Sequence, residues 1–417
     1  MSNRPGITDL LAGRLSPPSL LRSSMKRDPS RPMRIGIVTD SLLEHRVGGE
    51  ARIANGGVGV YIHELAHHLL ETDNDNEYFL IRFGPGLLDI YRHPRAHNIF
   101  LPSTRISRAL ALLGVGYSRV ARENRLDLVH FPNLFGGQLL SPAVKQVTTV
   151  QDLTPFLFPS LHPRHRVVAN RLFARRALRR CDRVIVPSQA TARDLVDSGF
   201  APDLRCVRIP HGVNPVFKPI SKTPGFAARH PPDRPFILNV GVLEPRKNHL
   251  LLLEVLRQLH RRGHRLELIL IGRPGWRWKD PLAMQSYRDL WPWVRVLADL
   301  SDSELVEYYN RAEMFIYPSF YEGFGLPLLE AMACGTPVIA SRSSSLPEVG
   351  GSAALYADPN SPDEFVTQAL RILGDSELRQ QLIATGLRHS SKFTWQAAAR
   401  ATVAVYHSAC ESPDDLT

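Results

Sequence analysis

Short apolar runs alternate with segments of helical periodicity along most of the chain. Runs such as Met33–Thr39 and Phe236–Val240 contain almost no polar residue, which predicts strands buried on both faces of a parallel sheet. Segments such as Val60–Leu70 and Asn248–Arg262 follow them, and their apolar residues recur three and four positions apart. Strands that alternate with helices in this way predict an α/β fold with parallel sheets.

The same pattern predicts the remaining elements, while Asp40–Asn55 is expected to be a polar loop. The further strands predicted are Tyr78–Phe83, Asn98–Leu101, Leu126–Phe131, Gln146–Gln151, Cys181–Pro187, Leu266–Gly272, Val294–Leu297, Glu313–Tyr317 and Pro337–Ala340. The further helices predicted are Ile106–Glu123, His162–Arg180, Ala190–Ser198, Asp302–Asn310, Leu328–Ala333, Ser361–Leu373, Ser376–Ser390 and Thr394–Ser408.

Composition divides the chain into two domains with a tail at each end. Residues 1–32 are rich in Pro, Ser and Arg and are expected to be a mobile tail. A first domain is expected over 33–218 and a second over 235–393, with the proline-rich segment 219–234 as their linker. We expect the final segment, 394–417, to begin with a helix that crosses back to the first domain.

Charge and cysteine content exclude some classes of protein and favour others. The 417 residues carry a formal charge of +11, so an anionic partner is expected: nucleic acid, lipid or a phosphorylated substrate. The chain has no nucleic-acid-binding motif, so nucleic acid is not expected. Four cysteines without a C-x-x-C pair predict neither a disulfide framework nor a zinc cluster. The sequence shows no secretory signal and no membrane-spanning run, which favours a cytoplasmic location.

One stretch, Pro318–Val349, combines a Gly-rich loop with a helix and two flanking strands. Loop amides and a helix N-terminus both favour an anion, so this layout is typical of a phosphate cradle. Glu322 precedes the glycines and Glu330 lies on the helix. Carboxylates repel phosphate but accept hydrogen bonds from sugar hydroxyls, as the acidic residue of dinucleotide folds does from ribose. Amides for a diphosphate and acids for two sugars predict a nucleotide-sugar site.

The segment Glu322-Gly-Phe-Gly-Leu-Pro-Leu-Leu-Glu330 resembles the E-x7-E motif of retaining family-4 (group 1) glycosyltransferases of the GT-B fold. Ala331–Val338 matches the usual continuation, and the resemblance extends over roughly Arg34–His407. It implies two Rossmann-like domains whose parallel sheets face each other across a cleft. It also implies that the donor binds the second domain and the acceptor the first. The donor contacts implied by this motif are Gly323, Phe324, Gly325, Leu326 and Glu330.

Two cations of the second domain complete the predicted donor site. Arg246 and Lys247 follow a buried strand and a Gly-containing turn, where Arg can bind a diphosphate through two nitrogens and Lys as a point charge. In the resemblance they are the donor clamp, catalytic together with Glu322. Gly272 ends the next predicted strand at the same ligand-facing edge and is expected to be a further donor-binding residue. No D-x-D metal motif occurs at a strand end, so these cations, and no metal ion or cofactor, are expected to balance the departing diphosphate.

The resemblance also implies an acceptor side in the first domain. Gly57 and Gly59 belong to the family's N-terminal Gly-rich loop, although such a cluster can also be a plain turn. His130 ends a predicted strand and is either a strand-end residue or a cleft residue. Asp152 can hold an acceptor hydroxyl or cap a turn. Gln151 stands where the family commonly has His, so a general base is not expected there.

The family is believed to transfer the sugar with retention, a donor phosphate oxygen taking the acceptor's proton. The implied substrates are a GDP- or UDP-hexose, with mannose favoured by the Arg-Lys-Asn and Gly-Arg-Pro-Gly segments, and a glycan or lipid-linked acceptor. The arginine-rich helix over 164–180 is amphipathic. It could lie on an anionic surface of the inner membrane, or its apolar stripe could simply face the core.

Two other functions also fit parts of the sequence. His63-Glu64-Leu65-Ala66-His67 matches the H-E-x-x-H pattern of zinc peptidases, with both histidines on one helical face. The positive charge would also suit a non-catalytic protein that binds membrane or nucleic acid.

Overall fold

A computed structural model describes most of the chain between residues 31 and 411. The described ranges are 31–40, 44–47, 50–53, 56–84, 89–104, 115–133, 140–161, 164–200, 205–220, 234–275, 277–278, 280 and 283–411. Nearly all of the N-terminal tail (1–30) and of the linker (221–233) therefore lies outside the described residues, as does the end of the chain after residue 411.

The first domain is built on a seven-stranded parallel sheet. Its strands are β1 (Arg34–Val38), β4 (Glu77–Phe83), β5 (Ala96–Leu101), β6 (Leu128–Phe131), β7 (Lys145–Thr149), β8 (Arg183–Val186) and β9 (Cys206–Arg208). Their order in the sheet is β5-β4-β1-β6-β7-β8-β9. Successive strands are thus added on one side of β1 up to β5 and on the other side from β6 onward, so the switch point lies between β1 and β6.

The second domain repeats this plan with six strands. Its strands are β10 (Phe236–Val240), β11 (Glu267–Ile271), β12 (Val294–Leu297), β13 (Met314–Tyr317), β14 (Val338–Ser341) and β15 (Ala354–Ala357). Their order in the sheet, β12-β11-β10-β13-β14-β15, is that of a dinucleotide-binding sheet, and its switch point lies between β10 and β13. The two parallel sheets confirm the predicted pair of Rossmann-like folds.

Twelve α-helices lie in the described part of the chain. They are α1 (Gly56–Thr72), α2 (Val115–Glu123), α3 (Thr154–Leu157), α4 (Arg164–Arg180), α5 (Gln189–Asp197), α6 (His249–Arg261), α7 (Asp302–Arg311), α8 (Leu326–Ala333), α9 (Leu346–Gly350), α10 (Pro362–Gly374), α11 (Ser376–Ser390) and α12 (Trp395–Cys410). None of the helices described is both long enough and apolar enough to cross a bilayer.

The predicted elements are present, with ends shifted by one to a few residues. The largest error is the polar loop expected over Asp40–Asn55, where Glu44–Val47 and Glu50–Ile53 pair as an antiparallel hairpin, β2 and β3. The prediction also missed β9, which is only three residues long, and β15, although Ala354–Ala357 is an apolar run. The first part of the helix expected over Ile106–Glu123 lies outside the described residues, and Val115–Glu123 is helical as predicted.

The last helix, α12, packs on the first domain. Trp395 and Tyr406 are fully buried in one apolar cluster with α1 residues such as Leu65. A Cβ at Gly212 would overlap the backbone of Trp395, so the start of α12 needs glycine at that position. The chain therefore returns to the first domain after completing the second.

Candidate active site

The predicted donor residues meet at the switch point of the second sheet. Arg246 and Lys247 lie in the turn after β10, and Glu322 lies in the loop after β13. Since β10 and β13 are neighbouring parallel strands, both segments leave the sheet at the same carboxyl edge. The amide of Phe320 donates to the carbonyl of Arg246 at 3.0 Å, which fixes the loop to the turn.

Glu322 is the centre of a buried network of charges. Its Oε1 lies 2.7 Å from Lys247 Nζ, and its Oε2 lies 2.8 Å from Arg246 Nη1. Glu244 accepts from Arg246 Nη2 at 2.6 Å, and Lys247 also donates to the Tyr317 hydroxyl at 2.7 Å. Two cations and two carboxylates thus lie together in one buried cluster, and each carboxylate is ion-paired, as buried charges require.

Electrostatics favours the ionised forms of Glu322 and Arg246. Burial alone would raise the pKa of Glu322, but Arg246 and Lys247 outweigh it and lower the pKa to about 2. Burial would lower the pKa of Arg246, and the two carboxylates beside it raise that pKa instead. Burial lowers the pKa of Lys247, and Glu322 offsets part of this effect. The Arg246 and Lys247 side chains are thus held by carboxylates at the sheet edge where an anion would enter.

Two glycines allow the strand ends to approach closely. A Cβ at Gly272 would overlap the carbonyl oxygen of Gly241, so the turn after β11 can pack on the turn after β10 only without a side chain. Gly241 itself has φ of +146°, and the Lys247 side chain packs over it. These glycines shape the floor beneath the cation pair.

Helix α8 begins in the Gly-rich loop and carries Glu330. Gly325, with φ of +107°, precedes its first residue, Leu326. Glu330 accepts from the Tyr309 hydroxyl at 2.9 Å. Desolvation raises the pKa of Glu330 to about 7, and the hydrogen bond from Tyr309 reduces this rise only in part. The predicted helix start at Leu328 was two residues late, since Pro327 lies within the first turn.

Phe324 and Leu326 have their side chains in the core. Both are buried, and the ring of Phe324 packs on His211 with centroids 4.8 Å apart. Any donor contact of these two residues would therefore come from their backbone amides, as the phosphate-cradle argument requires.

The first domain meets the donor loop at Gly323. A Cβ at Gly323 would overlap the carbonyl oxygen of Gln151, which follows β7. Next to Gln151, Asp152 accepts from the amide and hydroxyl of Thr154 at 3.0 and 2.6 Å, so it caps a turn. Its charge also acts on Arg246. Asp152 is thus placed at the cleft, and the structure shows the capping role that the sequence left open.

Comparison with known proteins follows the division into two domains. Residues 225–389 match the family model described as glycosyl transferases group 1, and residues 55–217 match glycosyltransferase family 4. The chain is 33% identical over 336 residues to the O-antigen chain mannosyltransferase B of Escherichia coli, which covers 78% of this chain and 81% of that protein. This chain is a group 1 glycosyltransferase.

A more distant relative is the MMP alpha-(1->4)-mannosyltransferase of Mycolicibacterium hassiacum. It is 29% identical over 405 residues, which cover 85% of this chain and 95% of that protein. Among solved structures, HepE from Anabaena in complex with UDP-glucose superposes with a TM-score of 0.68 at 18% identity, covering 90% of this chain and all of that one. The sucrose-phosphate synthase of Thermosynechococcus elongatus also gives a TM-score of 0.68, at 21% identity over 90% of this chain and 98% of that one. These neighbours and the two parallel sheets confirm the GT-B fold.

His130 does not lie where a cleft residue of the glycosyltransferase was expected. The side chain is fully buried within β6, and its Nδ1 and Nε2 lie 2.7 and 2.8 Å from the hydroxyls of Tyr406 and Thr149. Burial lowers its pKa to about 3, so the ring stays neutral. Its assignment to the acceptor side is therefore corrected, because one ring nitrogen bonds Tyr406 of α12 and the other bonds Thr149 of β7.

The Gly-rich loop of the first domain forms the first turn of α1. The helix starts at Gly56, four residues earlier than predicted, and includes Gly57 and Gly59. Gly56 has φ of +60°, and a Cβ there would contact the side chain of Val242 in the second domain. The N-terminus of α1 therefore faces the turn that carries the predicted donor clamp.

The structure does not support the zinc-peptidase hypothesis. His63 pairs with Glu64 and His67 with Glu71, at 3.4 and 3.3 Å. Glu64 also accepts from Asn214 at 3.0 Å, so the residue that would act as the base is used structurally. Across the residues described, no group of three or more metal-ligating side chains could hold an ion.

Sequence reasoning missed the partners of the predicted site residues. Glu244 lies two residues before Arg246, and this short spacing could have revealed it. Tyr309, Tyr317 and His211 could not be found in this way, because only the tertiary fold brings them to the site. His211 Nε2 lies 2.9 Å from Gln151 Oε1 and so orients the residue that replaces the family's usual His.

Proposed function

We propose that this glycosyltransferase moves a hexose, with mannose favoured, from a nucleoside-diphosphate sugar to a glycan or lipid-linked sugar acceptor in polysaccharide or glycolipid synthesis. Two of its relatives are named as mannosyltransferases. A structural neighbour was solved with UDP-glucose. GDP and UDP are both candidate donor nucleotides.

The observation that carries the proposal is the pairing of Arg246 and Lys247 with Glu322 at the switch point. A diphosphate that enters there would take hydrogen bonds from both cations, which would then stabilise the negative charge that develops on the leaving group. Glu322 would be released toward the hydroxyls of the transferred sugar. Glu330, on α8 behind the same loop, would accept from the ribose.

Transfer with retention, without a metal ion, is the reaction course we propose. Two fixed cations supply the charge that a divalent metal supplies at other phosphate sites. Gln151 has no basic atom, which supports proton transfer to a donor phosphate oxygen rather than to a side chain at this position.

A transfer assay tests the proposal. The purified chain is incubated with GDP-mannose, UDP-glucose or ADP-glucose and a labelled mannoside acceptor, with and without EDTA. We expect one donor to add a single hexose, detected by mass spectrometry, with its α-anomeric configuration kept in the NMR spectrum and no loss in EDTA. Lys247→Ala and Glu330→Ala should both abolish transfer. Full activity in both variants, or an inverted product, would refute the assigned chemistry.

We also propose that α4 holds the enzyme on an anionic membrane surface, which would suit a lipid-linked acceptor. Its stripe of Val167, Ala174 and Leu178 is buried, whereas Val168 and several arginines are exposed. The exposed arginines with described side chains are Arg175, Arg176, Arg179 and Arg180. Exposed cations beside an exposed apolar residue suit a peripheral contact with lipid.

A further inference from the structure

Glu348 of the second domain binds the N-terminus of a helix in the first. Its two carboxylate oxygens each lie 2.9 Å from the amide of Gln189, and Oε2 also accepts from Ala190 at 3.2 Å. Arg208, also in the first domain, donates to Oε1 at 2.9 Å. A carboxylate at this position complements the positive end of α5, so the contact combines charge with directed hydrogen bonds.

The same end of α5 holds the donor loop directly. The carbonyl oxygen of Gly323 accepts from Ser188 Oγ at 2.7 Å and from Thr191 Oγ1 at 3.2 Å. The hydroxyl of Tyr321, one residue before Glu322, donates to Asp194 on the same helix. Two independent sets of contacts therefore join α5 to the second domain: one to α9, and one to the loop that carries Glu322.

The contacts of α5 with Gly323 also limit the orientation of Glu322, which Arg246 and Lys247 alone do not fix. Gly323 follows Glu322 directly, so fixing its carbonyl limits the peptide that orients the Glu322 carboxylate. The partners come from opposite domains, so the contacts can form only while the domains are together. Because α5 fixes the loop next to Glu322 only in the closed cleft, the orientation of Glu322 depends on closure.

We propose that Thr191, Ser188 and Glu348 are positioning residues that form an interdomain clasp. The clasp draws the first domain onto loop 322–325 and so sets Glu322 for the transferred sugar in the closed enzyme. This inference rests on the proposed function for its catalytic consequence. The clasp itself rests on the contacts of α5 alone. None of its members touches the cation pair.

The kinetic test uses Glu348→Ala and Thr191→Val. Thr191→Val keeps the size of the side chain and removes only its hydroxyl, while Glu348→Gln restores an oxygen acceptor without the charge. We expect kcat to fall by about tenfold or more in Glu348→Ala, because the charged hydrogen bonds to α5 are lost. Glu348→Gln should recover part of this loss, and Thr191→Val should lose severalfold. The nucleoside-diphosphate Kd should stay within about twofold, because the predicted donor groups lie in the second domain.

The matched control is Glu123→Gln, which breaks the exposed ion pair between Arg119 and Glu123 within α2. It should leave kcat unchanged. An unchanged kcat in both Glu348→Ala and Thr191→Val would overturn the proposal. So would a loss in Glu348→Ala that follows its melting temperature while Thr191→Val behaves as wild type, because that result would show a purely structural role.

Small-angle X-ray scattering without any ligand separates this inference from the proposed function. We expect a larger radius of gyration in Glu348→Ala than in wild type and in Glu123→Gln, because the cleft opens when the clasp is lost. An equal radius in all three would overturn the clasp even if donor transfer is observed. If wild type bound no nucleotide, the proposed function would fail, while an expanded Glu348→Ala would still support the clasp as a closure device.

Discussion

Glu322 is ion-paired with both cations of the turn after β10, Arg246 and Lys247. These ion pairs hold the two side chains in place before a donor binds. The carboxylate holds the Arg246 and Lys247 side chains in place and favours their charged forms while they are out of water. A diphosphate can then replace it without the cost of ordering two long side chains. The two cations would then pair with the diphosphate, and the Glu322 carboxylate would accept hydrogen bonds from the sugar hydroxyls instead.

The proposed contact of Glu330 with the ribose predicts that donor binding depends on pH. Desolvation raises its pKa to about 7, so it is mostly protonated at pH 6 and mostly ionised at pH 8. Only the carboxylate accepts from both ribose hydroxyls, so affinity should decrease as pH falls through 7. We expect the nucleoside-diphosphate Kd to be roughly tenfold weaker at pH 6 than at pH 8. Calorimetry at a series of pH values measures this change.

Glu330→Gln is the control for that experiment. Its amide has one oxygen acceptor and no titration in this range, so its Kd should be weaker than wild type at pH 8. Its Kd should change with pH less than that of wild type, and the remaining change reports the titration of the terminal phosphate of the nucleotide. A wild-type Kd that changes with pH no more than that of Glu330→Gln would contradict the role given to Glu330.

Single residues were predicted best where the neighbouring sequence determines their place in the fold. Arg246, Lys247 and Glu322 were placed correctly at one sheet edge, because each follows a strand whose apolar run is unmistakable. His130 was misplaced, because a strand-end histidine carries no sign of which way its ring faces. The hydroxyl of Tyr406, 276 positions away, decides that question.

At the scale of elements, the attachment of α12 depends on this buried histidine. Tyr406→Phe would leave a ring nitrogen of His130 without its partner in a fully buried site. We expect the free energy of unfolding to fall by about 1–3 kcal/mol. Urea denaturation measures the loss, with His407→Ala on the exposed face of α12 as a control that should change stability by less than about 0.5 kcal/mol. Equal stability of Tyr406→Phe and wild type would show that the hydrogen bond does not hold the helix.

Helix α4 gives a separate prediction for membrane binding. Replacing three exposed arginines with Gln should weaken binding to vesicles that contain anionic lipid by about a hundredfold, since each cation near such a surface contributes roughly 1 kcal/mol. The three substituted residues are Arg175, Arg176 and Arg179. Vesicle sedimentation measures the partition, and a triple Gln variant at exposed arginines of the second domain, Arg261, Arg262 and Arg388, is the control. If both triple variants bind alike, α4 is not the contact.

Elements were predictable where they are long and periodic, or buried on both faces. Phe236–Val240, Val294–Leu297 and Ser376–Ser390 were placed to the residue. The edge strands β9 and β15 and the β2–β3 hairpin were missed, because each strand is only three or four residues long and is defined by pairing with a neighbour, which is not local.

At the scale of the whole molecule, Gly323 is the point where the two domains touch within the donor loop. Gly323→Ala places a Cβ on the carbonyl oxygen of Gln151, which is backbone and cannot move aside cheaply. Each domain should still fold, because the clash lies between domains. We expect nucleotide affinity to be nearly kept and turnover to fall by about tenfold or more, because the closed state becomes unfavourable.

A matched control is Gly374→Ala at the end of α10, where a Cβ would meet no atom within 4 Å. It should transfer sugar like wild type. If Gly323→Ala also keeps full turnover, the two domains need not come together at this loop during catalysis. The GT-B arrangement itself could be predicted from the sequence through its two series of strands and helices. The contacts between the domains could not, since they join residues more than a hundred positions apart.

In the proposed donor site, Arg246 and Lys247, joined by Glu322, bind the diphosphate of a sugar donor. The most direct measurement is calorimetric titration of GDP and UDP into wild type, Lys247→Met and Lys392→Met, the last at an exposed lysine. Methionine keeps the aliphatic length of lysine, and melting temperatures confirm that each variant is folded. We predict that one nucleotide binds wild type and Lys392→Met equally and binds Lys247→Met about 10 to 100 times more weakly. Equal binding to Lys247→Met, or no binding of either nucleotide to wild type, would contradict the account.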